Sequence, residues 1–183
     1  RSHDDLTPEQ IIDYVKEAGI VGMGGAGFPT HVKYMPPKDM TIDTIIINGA
    51  ECEPYLTSDD LLMRTHPEKV VAGLKLIIKA TGAKKGYIDS EQNKPKAIEA
   101  VAAALGEEEN LAVATMQTKY PQGDEKNLIA AVTGLHIPAG RLPASVGGVV
   151  PNAATACAVV DAVYDGKPLY ERIVTITGHA VNA

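Results

Sequence analysis

The sequence predicts an α/β domain in which helices pack against a mostly parallel sheet. Short β-branched and apolar runs alternate along the chain with longer segments whose apolar residues recur at helical spacing. Turns rich in glycine and proline separate these segments. With 183 residues, 45% of them hydrophobic, the chain can bury one full core, so a single domain with appendages is the simplest organisation.

The first half of the chain begins with a well-marked helix. Thr7 is placed as its N-cap, Pro8 stands at the first helical position, and Ile11, Ile12 and Val15 form one apolar face. Gly19 ends this helix. The next predicted elements are a glycine-rich loop at 22–27, a strand at 41–47 and a helix at 67–80 closed by Gly82.

The second half continues the alternation. Its predicted elements are a strand at 86–90, a helix at 93–105, a strand at 111–118, a short helix within 120–135, a loop at 140–151 and a helix at 153–164. This order is typical of a Rossmann-like layered domain, in which ligands bind beyond the carboxyl ends of the strands. Residues 172–177 are strand-like and form either the opening strand of a further domain or an added edge strand.

Composition excludes several classes of function. A net charge of -6 and the lack of a dense basic run argue against nucleic-acid binding. No apolar stretch approaches the roughly 18 residues that a membrane span needs. Two cysteines are too few for a disulfide framework or for a cluster of the chain's own, and a reducing compartment fits them best. The five histidines show no zinc-site spacing, so no metal is predicted.

The glycine-rich loop is the first candidate binding segment. Bare backbone at Gly22–Gly27 could approach a flat ring or a phosphate, although a plain tight turn is an equally good interpretation. Phe28 could stack on a base, but from the residues alone a hydrophobic anchor to the core is favoured. Lys33 could face an anionic group, although an isolated lysine is more often solvated.

The second candidate segment follows the strand at 41–47. Asn48 offers amide donors and acceptors to a heterocycle, and the carboxylates of Glu51 and Glu53 can accept hydrogen bonds from ribose hydroxyls. We interpret Cys52 as a small wall residue rather than a nucleophile. The alternative interpretation is a polar turn in which Ser58 caps the next helix and the two acids after it favour the helix dipole. That alternative is plausible for the two acids, whereas a binding role is favoured for Asn48, Glu51 and Glu53.

The third candidate segment is the start of the helix at 153–164. Asn152 is placed as its N-cap, and free N–H groups there could bind a phosphate, but ordinary capping explains Asn152 equally well. Residues 123–126 resemble a turn into a helix whose carboxylates could line a cleft.

Four long motifs carry a resemblance to a known family. The segments are GIVGMGGAGFPTHVKY, INGAECEPYLTSDDLLMR, YPQGDEKNLIAAVTG and LPASVGGVVPNAATACAVVDAV, in this order. They are similar to the C subunit of Rnf-type ion-translocating ferredoxin:NAD⁺ oxidoreductases, and the resemblance runs from Thr7 to Thr177. More distantly, the chain resembles the flavin-carrying subunit of respiratory complex I, from which it departs at Met23, Ala50 and Asp124.

The resemblance assigns ligand contacts residue by residue, and it assigns no catalytic acid or base. It implies FMN contacts at Gly22, Gly24, Lys33, Asn48, Glu51, Gly123 and Asn152, with Cys52 near the flavin. It implies NADH contacts at Glu53, Glu125 and Phe28, the last stacked on adenine.

The resemblance also implies a role for the whole protein. Hydride would pass between nicotinamide and FMN, and electrons would continue to [4Fe–4S] clusters in a C-terminal part that this chain lacks. Partners would be the other subunits of a membrane complex, with this part cytoplasmic and peripheral to the inner or cell membrane. The expected divisions are a remnant or linker at 1–6, an FMN- and NADH-binding domain at 7–168 and the start of a β-grasp-like domain at 169–183.

Two other functions remain open at this point. One is a flavoprotein cobalamin reductase of metabolosomes, which shares the glycine loop but differs after Glu-Cys-Glu-Pro. The other is a scaffold that keeps the fold, binds no flavin and docks membrane subunits.

Overall fold

A four-stranded, all-parallel sheet forms the centre of the computed structural model, which describes residues 5–179 and 181. The strands are β1 (Thr44–Ile47), β2 (Lys85–Glu91), β3 (Leu111–Met116) and β4 (Gly148–Val149), in the order β3-β2-β1-β4. The register pairs Ile47 with Ile88 and Asp89 with Ala114. The predicted α/β class with a parallel sheet is confirmed.

Seven α-helices connect the strands or flank them in the described part of the chain. They are α1 (Pro8–Glu17), α2 (Thr30–Lys33), α3 (Ser58–Thr65), α4 (Pro67–Thr81), α5 (Pro95–Leu105), α6 (Glu125–Thr133) and α7 (Ala153–Val160). A short 3₁₀ turn at Pro143–Val146 precedes β4, and a π turn at Asp161–Asp165 extends α7. None of the described helices is both long and apolar enough to cross a bilayer.

Helix α1 shows why the sequence signals at its ends were reliable. The Thr7 side chain accepts from the backbone of Gln10, and the Gln10 side chain accepts from the Thr7 N–H, which completes a capping box. Ile11 and Val15 are fully buried on its inner face. The predicted start, inner face and end of this helix are therefore confirmed.

The larger core lies on the sheet face that α4 and α7 cover. Its fully buried members include Ile45, Leu74, Ile77 and Ile88. The helices α4 and α7 approach closely because residue 73 is glycine: a Cβ there would lie 2.4 Å from the Ala156 carbonyl oxygen. On the opposite face a smaller apolar cluster joins α6 to the sheet through Ile46, Leu128, Ile129 and Val150.

Three sequence expectations need correction or fall outside the structure. The predicted loop at 140–151 contains β4, whose two residues pair with Thr44 and Ile45 of β1. Residues 172–177 form no strand in the described chain, so an added edge strand is wrong. The other interpretation, a first strand of a further domain, stays a prediction. Most of the proposed remnant at 1–6 lies outside the described residues.

Candidate functional site

The carboxyl ends of β1 and β4 bring two of the three candidate segments together. Asn48 and Asn152 form an isolated parallel bridge just beyond the strands. The Asn48 N–H donates to the Pro151 carbonyl at 2.7 Å, and the Ala153 N–H donates to the Asn48 carbonyl at 3.1 Å. Helix α7 therefore begins directly beside the tip of β1.

The Asn48 side chain holds the turn before α6 against the turn after β1. Its Nδ2 donates to the Gly123 carbonyl at 2.8 Å, and its Oδ1 accepts from the Ala50 N–H at 3.1 Å. Gly123 fits here only without a side chain, because a Cβ would lie 2.8 Å from the Ala50 carbonyl oxygen. Its N–H donates to Cys52 Sγ at 3.4 Å.

Cys52 is a wall residue of this turn. It is half-buried, and burial raises the pKa of its thiol, while its hydrogen bond from the Gly123 N–H partly offsets that rise. A thiol held above its usual pKa is a poor nucleophile at neutral pH. The interpretation of Cys52 as part of the wall agrees with this environment.

The glycine-rich loop, residues 22–27, rests on the start of α7. The Gly22 N–H donates to the Phe28 carbonyl at 2.9 Å, which closes the loop, and the Met23 N–H donates to Thr155 Oγ1 at 3.0 Å. A Cβ on Gly24 would lie 3.1 Å from the Asn152 Cβ. All three candidate segments thus meet at one place.

Phe28 does not anchor the loop to the core. Its side chain is 53% exposed, although it stands in a loop that is otherwise fixed by backbone hydrogen bonds. The expectation of an apolar anchor is therefore wrong, and the ring is accessible to a ligand.

The backbone amides at the start of α7 are already occupied. Asn152 Oδ1 accepts from the N–H groups of Ala154 at 2.9 Å and Thr155 at 3.4 Å, while the Ala153 N–H bonds to Asn48. Ordinary N-capping is observed, and the expectation of free N–H groups for a phosphate is wrong.

Lys33 joins α2 to the opposite side of the site. Its ammonium donates to the Val150 carbonyl at 2.7 Å and forms a short ion pair with Glu125 at the first position of α6. The side chains are 28% and 41% exposed, so the pair remains open to solvent and to a ligand. The family resemblance assigns Lys33 to FMN and Glu125 to NADH. Residues expected to bind two different ligands are therefore in contact.

The Glu51 carboxylate caps α3 from outside the helix. It accepts from the Ser58 hydroxyl at 3.1 Å, from the Asp59 N–H at 2.8 Å and from the Asp60 N–H at 2.9 Å. Lys94 approaches the same carboxylate at 3.8 Å. The expectation that Ser58 caps this helix is wrong, because Ser58 is a helical residue that donates to Glu51. Glu51 therefore shapes the turn, whereas Glu53 is exposed at its rim.

Two pairs of residues near this edge were not predicted as part of the site. Asp59 accepts from Asn152 Nδ2 at 2.7 Å, and Thr155 holds the glycine loop. On β2, Asp89 and Glu91 are 0% and 1% exposed, and within the described residues neither Asp89 oxygen has a hydrogen-bond partner. Burial and the nearby Glu91 raise the pKa of Asp89 to about 7. The polar run Asp89-Ser90-Glu91 at the carboxyl end of β2 was the available sequence signal for this second pair.

Residues 15–161 match the Nuo51 FMN-binding domain family, a stretch that contains every segment of the site. The chain belongs to this family. As a Nuo51-type domain, it shares its fold with a solved NAD⁺-reducing [NiFe]-hydrogenase in the air-oxidised state, with a TM-score of 0.75 and 28% identity. That likeness covers 86% of this chain and 30% of the hydrogenase chain.

Curated relatives place this Nuo51-type domain among the C subunits of ion-translocating oxidoreductases. It is 51% identical to the C subunit of the Na⁺-translocating ferredoxin:NAD⁺ oxidoreductase complex of Acetobacterium woodii, over 97% of this chain and 40% of that relative. It is 49% identical to the C subunit of the proton-translocating complex of Clostridium ljungdahlii, over 99% and 39% respectively. The resemblance to the Rnf C subunit is confirmed, and the chain spans about two fifths of the length of these relatives.

Proposed function

We propose that this Nuo51-type domain binds FMN where the glycine-rich loop, the tip of β1 and the turn at Gly123 meet, and exchanges hydride between that flavin and NADH. The observation that carries the proposal is the convergence of the three segments on the start of α7. Gly24 lies against Asn152, which bridges to Asn48, which in turn binds the Gly123 carbonyl.

The residues present fit a flavin in both shape and chemistry. Gly24 and Gly123 stand where a side chain would crowd protein neighbours, so these glycines let the three segments pack closely. Gly25 borders open space, where a planar ring can approach bare backbone. Lys33 lies on the adjacent wall, where its ammonium can stabilise negative charge that develops on the ring. A bound FMN would supply the ability to take two electrons as hydride and release them singly.

The nicotinamide side of the proposal rests on exposed residues at the rim of the site. Phe28 and Glu53 are both accessible, and Glu125 is paired with Lys33 across the opening. An aromatic ring can stack on a base, and carboxylates can accept hydrogen bonds from ribose hydroxyls. Because Lys33 and Glu125 touch, the residues assigned to the two ligands adjoin, as hydride transfer requires.

The proposed role in the whole protein is supported by the relatives, whose names describe subunits of ion-translocating complexes. We propose that electrons leave the flavin for [4Fe–4S] clusters in parts outside this chain. The same proposal makes the domain a cytoplasmic, peripheral part of a membrane complex, in contact with its other subunits. The relatives favour this role over the cobalamin reductase alternative.

Titration of FMN into the purified chain tests the proposal through the quenching of flavin fluorescence. Gly24→Val should weaken binding by about tenfold or more, because the new side chain meets Asn152. Ala103→Val is the control, since it adds bulk at an exposed position of α5 outside the three segments. Unquenched FMN at micromolar concentration would contradict the proposal and favour the scaffold interpretation, as would equal effects of the two variants.

A further inference from the structure

Asp59 is the side chain that links the start of α3 to the start of α7. Its Oδ2 accepts from Asn152 Nδ2 at 2.7 Å, and its own N–H donates to Glu51 at 2.8 Å. Through these two bonds the turn after β1, which contains Glu51, is connected to the helix on which the glycine-rich loop rests.

The Asn152 amide works as a cap in only one of its two orientations. Its Oδ1 must face the N–H groups of Ala154 and Thr155, so its Nδ2 must point the other way. If the amide were flipped, Nδ2 would present hydrogens to those N–H donors. An ionised carboxylate is purely an acceptor, so Asp59 selects the orientation that caps α7.

The glycine-rich loop depends on that orientation at two points. Gly24 packs against the Asn152 side chain, with only 3.3 Å between a Cβ built on Gly24 and Asn152 Nδ2. The Met23 N–H is held by the Thr155 hydroxyl, one of the residues whose backbone Asn152 caps. Any change in the Asn152 amide therefore reaches the loop through both contacts.

The Asp59 carboxylate stands in an unfavourable environment. Burial, with a smaller contribution from the charges of Glu51 and Glu53, raises its pKa to about 6, while the Asn152 hydrogen bond and Arg172 oppose the rise. Asp59 also lines a cavity of about 320 Å³, together with other ionisable groups, namely His66, Lys69, Cys157, Asp161, Lys167, Tyr170, Glu171 and Arg172. Because the charge is costly there, a neutral side chain of the same shape should fold more stably at neutral pH.

We propose that Asp59 is a positioning residue of the flavin site, whose carboxylate fixes the Asn152 amide so that the glycine-rich loop keeps its binding shape. The proposal rests on the proposed binding of FMN. Protonation or removal of this carboxylate loosens the loop and weakens the flavin complex.

The variants Asp59→Ala and Asp59→Asn separate the acceptor from the charge. Asp59→Ala should weaken FMN binding by about tenfold or more at pH 8, the loss expected for one charge-assisted hydrogen bond. Asp59→Asn keeps an acceptor of the same shape and should cost about threefold to fivefold. Asp60→Asn, which removes a carboxylate from the same turn that pairs with Arg64, should leave Kd within about twofold.

A pH profile distinguishes positioning from a purely structural role. The ratio of Kd for Asp59→Asn to Kd for the unaltered chain cancels the titration of the FMN phosphate itself. This ratio should be largest at pH 8 and fall towards one below pH 6, where Asp59 is protonated. At pH 8 the urea midpoint of Asp59→Asn should rise while its FMN affinity falls.

Hydrogen exchange of the backbone amides of Ala154 and Thr155 reads the Asn152 cap without any ligand. Exchange there should be faster in Asp59→Ala than in Asp60→Asn. Three results would each overturn the proposal. The Kd ratio could stay constant with pH, or the urea midpoint and the FMN affinity of Asp59→Asn could fall together. The third is amide exchange at Ala154 and Thr155 that does not change in Asp59→Ala. If the unaltered chain binds no FMN, the proposed function fails, and the exchange data still decide whether Asp59 orients Asn152.

Discussion

The apolar core beneath α4 and the carboxyl edge of the same sheet are equally buried but chemically opposite. Leu74 and Ile88 are fully buried among other apolar side chains. One residue further along β2, Asp89 is also 0% exposed, yet its carboxyl oxygens have no hydrogen-bond partner among the described residues. Burial of apolar side chains stabilises the folded state in the core, whereas burial of a carboxylate without partners destabilises it at the edge. The contrast teaches that burial stabilises the protein in one region and costs stability beside the candidate site in the other.

The largest expected effect lies in the core. Leu74→Ala should lower the free energy of unfolding by about 3 kcal/mol, because it leaves a cavity between α4 and the sheet. Urea denaturation followed by circular dichroism measures the change. Under conditions where the variant is folded, FMN affinity should be nearly unchanged. A strong loss of affinity in the folded variant would show that core and edge are not separable.

The next effect has the opposite sign and lies at the edge. Asp89→Asn should raise the free energy of unfolding at pH 8 by about 2 kcal/mol, because the buried carboxylate is costly once ionised. The folded pKa is about 7 against an ordinary 3.8, so the folded chain keeps a proton that the unfolded chain loses between these values. The stability of the unaltered chain therefore falls as pH rises from about 4 to 7.

The variant should lack most of this pH dependence, so its advantage should be greatest at pH 8 and smallest near pH 4. Urea unfolding at these two pH values measures the difference. An equal advantage at both would mean that folding does not raise the pKa of Asp89.

A smaller effect is expected at the exposed rim. Glu53→Gln should weaken NADH binding by about fivefold, since a charged acceptor for ribose hydroxyls is lost, and should change FMN binding much less. Binding of each ligand is measured by calorimetry on the same preparation. Equal losses for the two ligands would contradict the division of roles between Glu53 and the glycine-rich loop. Stability should not change, because the side chain is exposed.

The smallest effects compare two ion pairs of similar exposure. Lys33 pairs with Glu125 at the site, and Lys75 pairs with Glu108 away from it. Replacement of either lysine by methionine should change stability by no more than about 0.5 kcal/mol, as for other surface pairs. Only Lys33→Met should weaken FMN binding, by about threefold, in a fluorescence titration. A similar loss for Lys75→Met would point to net charge rather than to the site.

Elements with local signals were predictable from the sequence. Helix α1 carries its own cap at Thr7, and α4 carries Pro67 at its start and Gly82 at its end. The two-residue strand β4 was missed, because its existence depends on pairing with β1 and not on any local pattern. The run at 172–177 was strand-like in composition but finds no partner strand in the described chain.

The candidate site was predictable in position but not in its internal bonding. Glycine density and polar residues after a strand correctly indicated segments that meet, since parallel strands end at the same edge. The sequence could not show that Glu51 caps α3 across seven residues, or that Asp59 reaches Asn152 from a distant part of the chain. Such contacts depend on tertiary geometry. The sequence suggested that the Glu51 carboxylate was free to bind a ribose hydroxyl, but hydrogen bonds from α3 largely occupy it.

Gly73 lies behind the candidate site, where α4 packs against α7. With no side chain of its own, it lets α4 touch the backbone of α7 at Ala156, one turn after Asn152. The two helices are therefore in close backbone contact at this point. A methyl group added at Gly73 would collide with the Ala156 backbone and displace α7, on whose start the loop rests. Buried Gly73 therefore sets the spacing of α4 and α7 behind the candidate site.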